Sequence, residues 1–414
     1  MRAVLIPVLP MVLAVSLLML GNSVFGLAVA LRLNTAGVPA ELIGFVVSAF
    51  FVGFMLGSLL TRRLMARVGH IRTFAVLGAF SATVALLHAL VFDVYVWMLL
   101  RLLYGFCTAG LYTAIESWLN EKTTNATRGR VLTFYMTCYY LALSCGQLLI
   151  NIWSFESAAV FVVAAVLVTL AVQPVLLTNL PQPEMSKAQP MALSALFRLS
   201  PLAVFGTMTS GLLAGGVQNL AAVYGQRVGL DVLQVSLFTG AMLFGPFFFL
   251  WPVGRMSDRL GRRAALMIVL SILIFAALGI FALQWSSRSF IALVVLTLVM
   301  GGAITSIYPN SVAHAYDQLP KERYVAASGG LLLSYSIGAI AGPTMAAAAM
   351  AWGGADWLFA ETAICAAALL VFTIYRSKAR PLVPVVGERE SFVPVAPTTQ
   401  LSGELDPRRP AAVE

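Results

Sequence analysis

The chain has 414 residues, 60% hydrophobic and 10% charged, with a mean hydropathy of +0.90. Ordinary globular proteins are about 45–50% apolar and about 25% charged. This much apolar surface exceeds what a soluble fold hides, so lipid is the expected solvent. The net charge of +9 does not point to nucleic acid, because the cations are confined to particular loops. Of 26 Lys/Arg, 22 fall at Arg2, 62–72, 122–130, 187–198, 255–263, 321–323 and after 375, segments expected on the cytoplasmic side. Three (Arg32, Arg227, Arg288) fall on the other side, and Arg101 falls within an apolar run. That bias is the positive-inside pattern and places both termini in the cytoplasm.

Twelve apolar stretches are long enough to cross a bilayer: about 5–31, 42–60, 73–92, 95–119, 131–150, 157–178, 202–224, 232–253, 264–283, 289–312, 328–350 and 357–375. The Ala28-Val29-Ala30 triplet has the form of a signal-peptidase site. The run before it is too long for a signal segment, so the first span is expected to be retained. The longest internal break, 179–200, carries Pro181, Pro183 and Pro190, followed by Met191–Leu199, a candidate for a short amphipathic helix on the membrane surface. After Tyr375 the chain turns polar and Pro-rich, and 376–414 reads as a disordered cytoplasmic tail. The expected architecture is an all-α membrane protein of twelve transmembrane helices in two six-helix bundles. Residues 1–178 form the first bundle, 179–200 a cytoplasmic linker, and 201–375 the second bundle.

The two halves match in sequence. At an offset of 192, Gly37 aligns with Gly229, Gly53 with Gly245, Arg67 with Arg259 and Gly69 with Gly261. At 196, Gly105 aligns with Gly301, Tyr112 with Tyr308 and Glu121 with Asp317; at 195, Arg128 aligns with Arg323 and Tyr140 with Tyr335. Charged and aromatic matches in the same order argue for duplication rather than chance. Two six-helix repeats with a site between them are a common transporter plan.

Three signatures resemble the major facilitator superfamily of secondary transporters. The loop after span 8, Gly254-Arg255-Met256-Ser257-Asp258-Arg259-Leu260-Gly261-Arg262-Arg263, is similar to the family's Gly-x-x-x-Asp-Arg-x-Gly-Arg-Arg pattern throughout. Its first-half copy, Arg62 to Arg72, departs from that pattern at Arg62 and Ala66, where the family usually has Gly and Asp. Arg101-Leu102-Leu103-Tyr104-Gly105 in span 4 looks like the family's Arg-x-x-x-Gly element. The run Gly329-x8-Gly338-x3-Gly342-Pro343 resembles the antiporter-associated glycine motif, but it lies in span 11 instead of span 5. The wording of spans 4 and 5 (Ile115-Glu116-Ser117, Arg128-Gly129-Arg130, Tyr139-Tyr140, Gly146-Gln147) is most similar to the bacterial YcaD-like subgroup. The resemblance covers about 1–376. It implies rocking of two halves around a midplane site, with spans 1, 4, 7 and 10 lining the cavity.

It also implies that Asp258, with Arg259, Gly261 and Arg262, latches the halves by facing the start of span 5 near Val131. Arg67 and Gly69 are the first-half counterparts of Arg259 and Gly261. The alternative is that these cations only set topology. An anion at a helix N-terminus gains about 0.3–1 kcal/mol, enough to bias a balanced two-state machine.

Arg101 sits about two turns inside span 4, where a charge is costly unless paired or wet. It reads as a cavity cation that binds an anionic group or tunes a proton-carrying acid, which makes it with Glu116 a candidate for proton coupling, or as one snorkelling to the interface. Glu116 is fifteen residues further on, about 60° round and about 22 Å along the helix, with Thr108 and Tyr112 between them. A carboxylate there can load and unload a proton, or it can be a wet interfacial residue. Asn22, Phe25, Gln147, Gln218, Asn219, Tyr308 and Asn310 complete the candidate solute contacts; interhelical hydrogen bonding is the alternative for each amide.

The four cysteines lie in apolar runs and the three histidines have no metal-site spacing, so neither a metal nor a cofactor is expected. No nucleotide-binding Gly-rich loop with Lys and no catalytic triad pattern appears. The expected protein is therefore no enzyme. It is a monomeric secondary transporter of the bacterial inner membrane, working with a small-molecule substrate and protons. Proton-coupled export of a small organic solute is favoured; uptake of a sugar or organic acid, and a membrane sensor that binds without transporting, are the alternatives.

Overall fold

The computed structural model describes residues 5–178, 183, 190–286, 289–379, 392–399, 406 and 408, apart from the side chains of residues 125 and 126. Among them every regular element is a helix. In chain order these are α1 (Leu9–Thr35), α2 (Ala40–Val68), α3 (His70–Leu90), α4 (Val94–Glu121), α5 (Asn125–Leu148), α6 (Ala159–Leu176), α7 (Leu193–Leu199), α8 (Pro201–Arg227), α9 (Val232–Phe244), α10 (Pro246–Leu260), α11 (Arg262–Ala282), α12 (Phe290–Tyr316), α13 (Tyr324–Gly353) and α14 (Trp357–Ala379).

Among the described residues, ten helical segments are long and apolar enough to cross a membrane. Two expected spans, α5 and α8, form helices of 24 and 27 residues but are not among those ten. Their apolar runs are interrupted by Ser144 and Gln147 in α5, and by Ser210, Gln218 and Asn219 in α8. Apolar side chains such as Leu90, Phe275, Ile291 and Val371 stay exposed on the outside of the structure, as lipid contact requires.

Helix ends follow local chemistry. Asp93 caps α4 by accepting from the amides of Tyr95 and Val96, both at 2.9 Å. Asp231 and Gln234 make a reciprocal capping box on α9. The expected span 232–253 lies within one apolar helical run, Val232–Leu260, which Gly245-Pro246 divides into α9 and α10. Only a glycine fits at 245, since a Cβ there would lie 2.2 Å from the Leu298 carbonyl oxygen.

The internal repeat is visible in the backbone. Gly37 and Gly229 have φ of 73° and 85°, and Gly69 and Gly261 have φ of 89° and 91°. Each Gly of the second pair ends one helix and begins the next. A Cβ on Gly105 would sit 2.0 Å from the Phe50 carbonyl oxygen, and one on Gly301 would sit 1.9 Å from that of Met242. Phe50 and Met242 are themselves 192 residues apart, so duplicated positions make duplicated helix contacts.

The short helix expected in 191–199 is present as α7, with Phe197 and Arg198 exposed and its other face held against α13. The Met191 amide donates to the Ala326 carbonyl at 2.7 Å, and Leu196 of α7 is buried against Gly330 of α13. Within the tail expected to be disordered, α14 runs on to Ala379, and residues 392–399 pack into the helices with Val393, Val395 and Ala396 buried. Tail residues 380–391, 400–405, 407 and 409–414 lie outside the described residues, as do linker residues 179–182 and 184–189 and Arg288.

Candidate solute-binding cavity

A central cavity of about 220 Å³ lies among nine helices, with Pro246 of α10 at its edge. Asn22, Ser23 and Gly26 reach it from α1, Phe50 and Phe54 from α2, and Tyr112 from α4. Tyr139, Tyr140 and Gln147 face it from α5, Ser210, Gln218 and Asn219 from α8, and Thr239 from α9. Thr305 and Tyr308 of α12, Tyr335 and Ser336 of α13, and Ala396, Pro397 and Thr398 complete the wall. No charged side chain is among the described residues that line it.

The aromatic groups form a connected wall. Tyr112 lies 6.1 Å from Phe54 and 6.1 Å from Tyr139, Tyr139 lies 5.2 Å from Tyr140, and Tyr308 lies 5.4 Å from Tyr335 (ring centroids). Gln147 is spoken for on both sides: its Nε2 donates to Ser23 Oγ at 2.6 Å, and its Oε1 accepts from Thr239 Oγ1 at 2.8 Å. Asn219 donates to the carbonyls of Ala214 and Gly215. Asn22 and Gln218 have no hydrogen-bond partner among the described residues, so their amides are open to a solute.

One end of the cavity is closed. Asn34 Nδ2 donates to Gln226 Oε1 at 3.0 Å, Gln226 Nε2 to Thr35 Oγ1 at 3.1 Å, and Arg227 Nε to Asn34 Oδ1 at 3.0 Å. These bonds tie the C-terminal ends of α1 and α8 together. Ser48 Oγ donates to the Ile340 carbonyl at 2.7 Å, joining α2 to α13, and Asn151 Nδ2 donates to Ser236 Oγ at 2.8 Å. Gly44 lets α2 meet α13, since a Cβ there would lie 2.7 Å from the Pro343 carbonyl oxygen.

The opposite, arginine-rich end carries Glu116 and the Asp258 loop. Glu116 is fully buried, and its two carboxylate oxygens accept from the hydroxyls of Thr398 and Thr399, with the Tyr135 phenol nearby. Asp258 pairs with Arg262 at 2.5 Å and accepts from the Phe392 amide at 2.9 and 3.1 Å. The start of span 5 near Val131 was expected to face Asp258; Thr133, Met136 and Thr137 of α5 line a pocket together with it, and its backbone hydrogen bond comes from the tail amide. Arg262 also reaches Asp317 at 3.3 Å and Ser257 at 3.1 Å. Ser257 donates to Asn310 Oδ1 at 2.6 Å, and Asn310 Nδ2 donates to the Arg262 carbonyl at 2.7 Å. Arg259 and Arg67 are exposed, whereas Gly261 and Gly69 make the helix-to-helix turns.

Of the solute contacts expected from sequence, Asn22, Tyr112, Gln147, Gln218, Asn219 and Tyr308 line the cavity. Four do not. Phe25 is buried in an aromatic cluster with His88, Tyr104 and Phe161, with ring centroids 4.6–5.9 Å away. Thr108 turns its hydroxyl back to the Tyr104 carbonyl at 2.8 Å, and Asn310 serves the Arg262 network. Arg101 is buried toward the closed end, its guanidinium carbon 5.3, 4.6 and 5.9 Å from the rings of Phe25, Phe50 and Tyr104. Its Nε and Nη1 have no hydrogen-bond partner among the described residues. Sequence reasoning missed Ser23, Tyr139, Thr239 and Tyr335. The Tyr140–Tyr335 repeat match was a signal for the last of these.

A long-helix membrane protein with a polar cavity between duplicated halves is the class this fold and site define. The Major Facilitator Superfamily profile matches residues 11–251 and 203–405, and the chain belongs to that family of membrane transporters. It is 28% identical over 346 residues, 83% of this chain and 89% of the relative, to an uncharacterized MFS-type transporter YcaD of Salmonella enteritidis PT4, with the same figures for YcaD of Salmonella newport. Among solved structures it is similar to the nucleoside transporter NupG, with a TM-score of 0.74, 15% identity, and coverage of 90% of this chain and 99% of that one. A bacterial homolog of the human lysosomal transporter Spinster, inward-facing and occupied, gives 0.70 at 15% identity, covering 90% and 96%.

Proposed function

We propose that this protein is a secondary active transporter of the bacterial inner membrane that moves a small, uncharged, polar organic solute by alternating access. All twelve expected spans cross the membrane as two six-helix bundles, 1–178 and 201–375, acting as a monomer with both termini in the cytoplasm. The observation that carries the reading is the cavity wall: amides, hydroxyls and tyrosines in tilted and edge-to-face contact, with no charged side chain among its described residues. Burying an unpaired ion there would be costly, whereas a neutral ring with hydroxyl or amide groups finds both stacking faces and hydrogen-bond partners. A nucleoside, the solute in the name of one structural neighbour, has that chemistry, as does a sugar.

Proton coupling is assigned to Glu116, a buried carboxylate at the arginine-rich end of the cavity helix α4. Arg101 shares that helix about four turns away and acts on the closed end. On the positive-inside reading the closed end is periplasmic and the arginine-rich end cytoplasmic. Export is the direction to test first, with uptake as its counterpart.

The test is ligand-dependent stabilisation of purified protein. Neutral ring solutes at about a hundred times Kd are expected to add roughly 2.7 kcal/mol to stability. Stabilisation by organic acids or organic cations alone would overturn the neutral-solute assignment.

A further inference from the structure

The arginine-rich end of the cavity holds an occupant of its own. Residues 392–399 (Phe-Val-Pro-Val-Ala-Pro-Thr-Thr) run from the Asp258 loop to Glu116. At one end, the Phe392 amide donates to both oxygens of Asp258, and its ring lies where a Gly254 Cβ would meet it at 2.7 Å. At the other end, the Thr398 and Thr399 hydroxyls donate to the two oxygens of Glu116. Between them, Val393, Val395 and Ala396 are buried, and Ala396 to Thr398 form part of the cavity wall. Further on, Asp406 and Arg408 are buried as an ion pair at 2.5 Å, with Arg408 5.0 Å from the Tyr316 ring.

We propose that this mouth is a binding site for an uncharged, proline-containing peptide, and that the chain's own 392–399 segment is its resident ligand, shutting the cavity at that end. The chemistry is complementary. Glu116 offers only acceptor oxygens, and two adjacent threonines supply two donors. Asp258 needs a donor, and a backbone amide supplies it. Pro394 and Pro397 have no amide hydrogen to satisfy and each fixes one backbone dihedral, and the Val395 amide bonds back to the Val393 carbonyl at 2.9 Å, so less freedom is lost on docking. The segment fastens to residues from opposite halves of the chain, Glu116 and Asp258, so its presence holds the two halves in one relative position. A solute entering at this end meets the segment first, and Glu116 exchanges its proton only when the threonines have left it.

The assignment rests on the transporter reading for its consequence, but the docking is measurable without transport. In a background with Cys107, Cys138, Cys145 and Cys365 replaced by Ser, the cavity residue Ser336→Cys reports access in detergent-solubilised protein through its rate of reaction with a charged thiol reagent. Deleting 380–414, or replacing Thr398 and Thr399 by Val within the full chain, is expected to raise that rate about tenfold. A synthetic peptide of residues 392–399 is expected to lower it again in the truncated protein. In a separate variant, Gly254→Cys with Phe392→Cys is expected to form a disulfide on oxidation and to slow labelling at 336 until reduced. Equal labelling rates in the full-length, Val-substituted and truncated proteins, or failure of the disulfide to form, would overturn the proposal. Changed labelling in a protein that moves no solute would leave the docking intact and count against the transport reading alone.

Discussion

The contact between α8 and α13 gives a prediction whose sign is fixed by the geometry. These helices meet through glycines: a Cβ on Gly338 would lie 1.9 Å from the Met208 carbonyl oxygen, one on Gly211 2.0 Å from that of Tyr335, and one on Gly342 2.1 Å from that of Leu212. Carbon and oxygen prefer roughly 3.5 Å, so Gly338→Ala forces the helices apart by about 1.5 Å. No side chain can rotate to relieve this, because the clash is with backbone. Overpacking of that kind costs about 1–3 kcal/mol. Gly26 of α1 provides the control, since a Cβ there meets nothing within 4 Å. Gly26→Ala should be neutral or stabilising by about 0.5–1 kcal/mol through helix propensity. Thermal unfolding in one detergent compares the two: Gly338→Ala should melt several degrees below the parent and Gly26→Ala at or above it. Because α8 carries Gln218 and α13 carries Tyr335, Gly338→Ala should also weaken solute binding. Equal melting temperatures for the two variants would refute the close-packed α8–α13 contact.

Other predictions follow from single contacts. Glu116→Gln should abolish proton coupling while solute binding stays measurable by thermal stabilisation; full coupling in that variant would remove Glu116 from the mechanism. Asn34→Ala deletes bonds to Gln226 and Arg227 at the closed end. At about 0.5 kcal/mol for each such bond, it should shift the equilibrium about fivefold toward opening there, read as faster labelling of a cysteine at Ser236; unchanged labelling would show that these bonds do not hold the end shut. Arg101→Met removes a buried cation with unpaired nitrogens. It should therefore melt no lower than the parent, yet transport more slowly if the cation contributes to function; a large loss of melting temperature would show Arg101 to be a structural keystone.

What the sequence made legible is periodicity, and what it hid is depth. The helix-turn-helix glycines 69 and 261 followed from the repeat spacing, and the cavity amides from their depth in spans that the family resemblance places around the cavity. Arg101 and Tyr112 are eleven residues apart and lie about 20° from the same face, so a helical wheel groups them. The structure separates them along the axis, with Tyr112 at the cavity and Arg101 among Phe25, Phe50 and Tyr104. Tyr308 and Asn310 show the converse error. Two residues apart, they point about 160° from one another, so only Tyr308 faces the cavity while Asn310 joins Ser257 and Arg262. The 392–399 segment was illegible for a different reason. It sits in a tail that is polar and Pro-rich as a whole, and its order comes from acceptors supplied by Asp258 and Glu116, 134 and 282 residues away in sequence.

The central claim is that a neutral solute crosses through this cavity in exchange for protons carried by Glu116. Everted membrane vesicles loaded with a pH-sensitive dye test it most directly. Addition of a neutral ring solute is expected to dissipate the proton gradient in vesicles carrying the parent protein and to leave it intact in those carrying Glu116→Gln. Dissipation by charged solutes alone, or an equal response in the Glu116→Gln vesicles, would contradict the account.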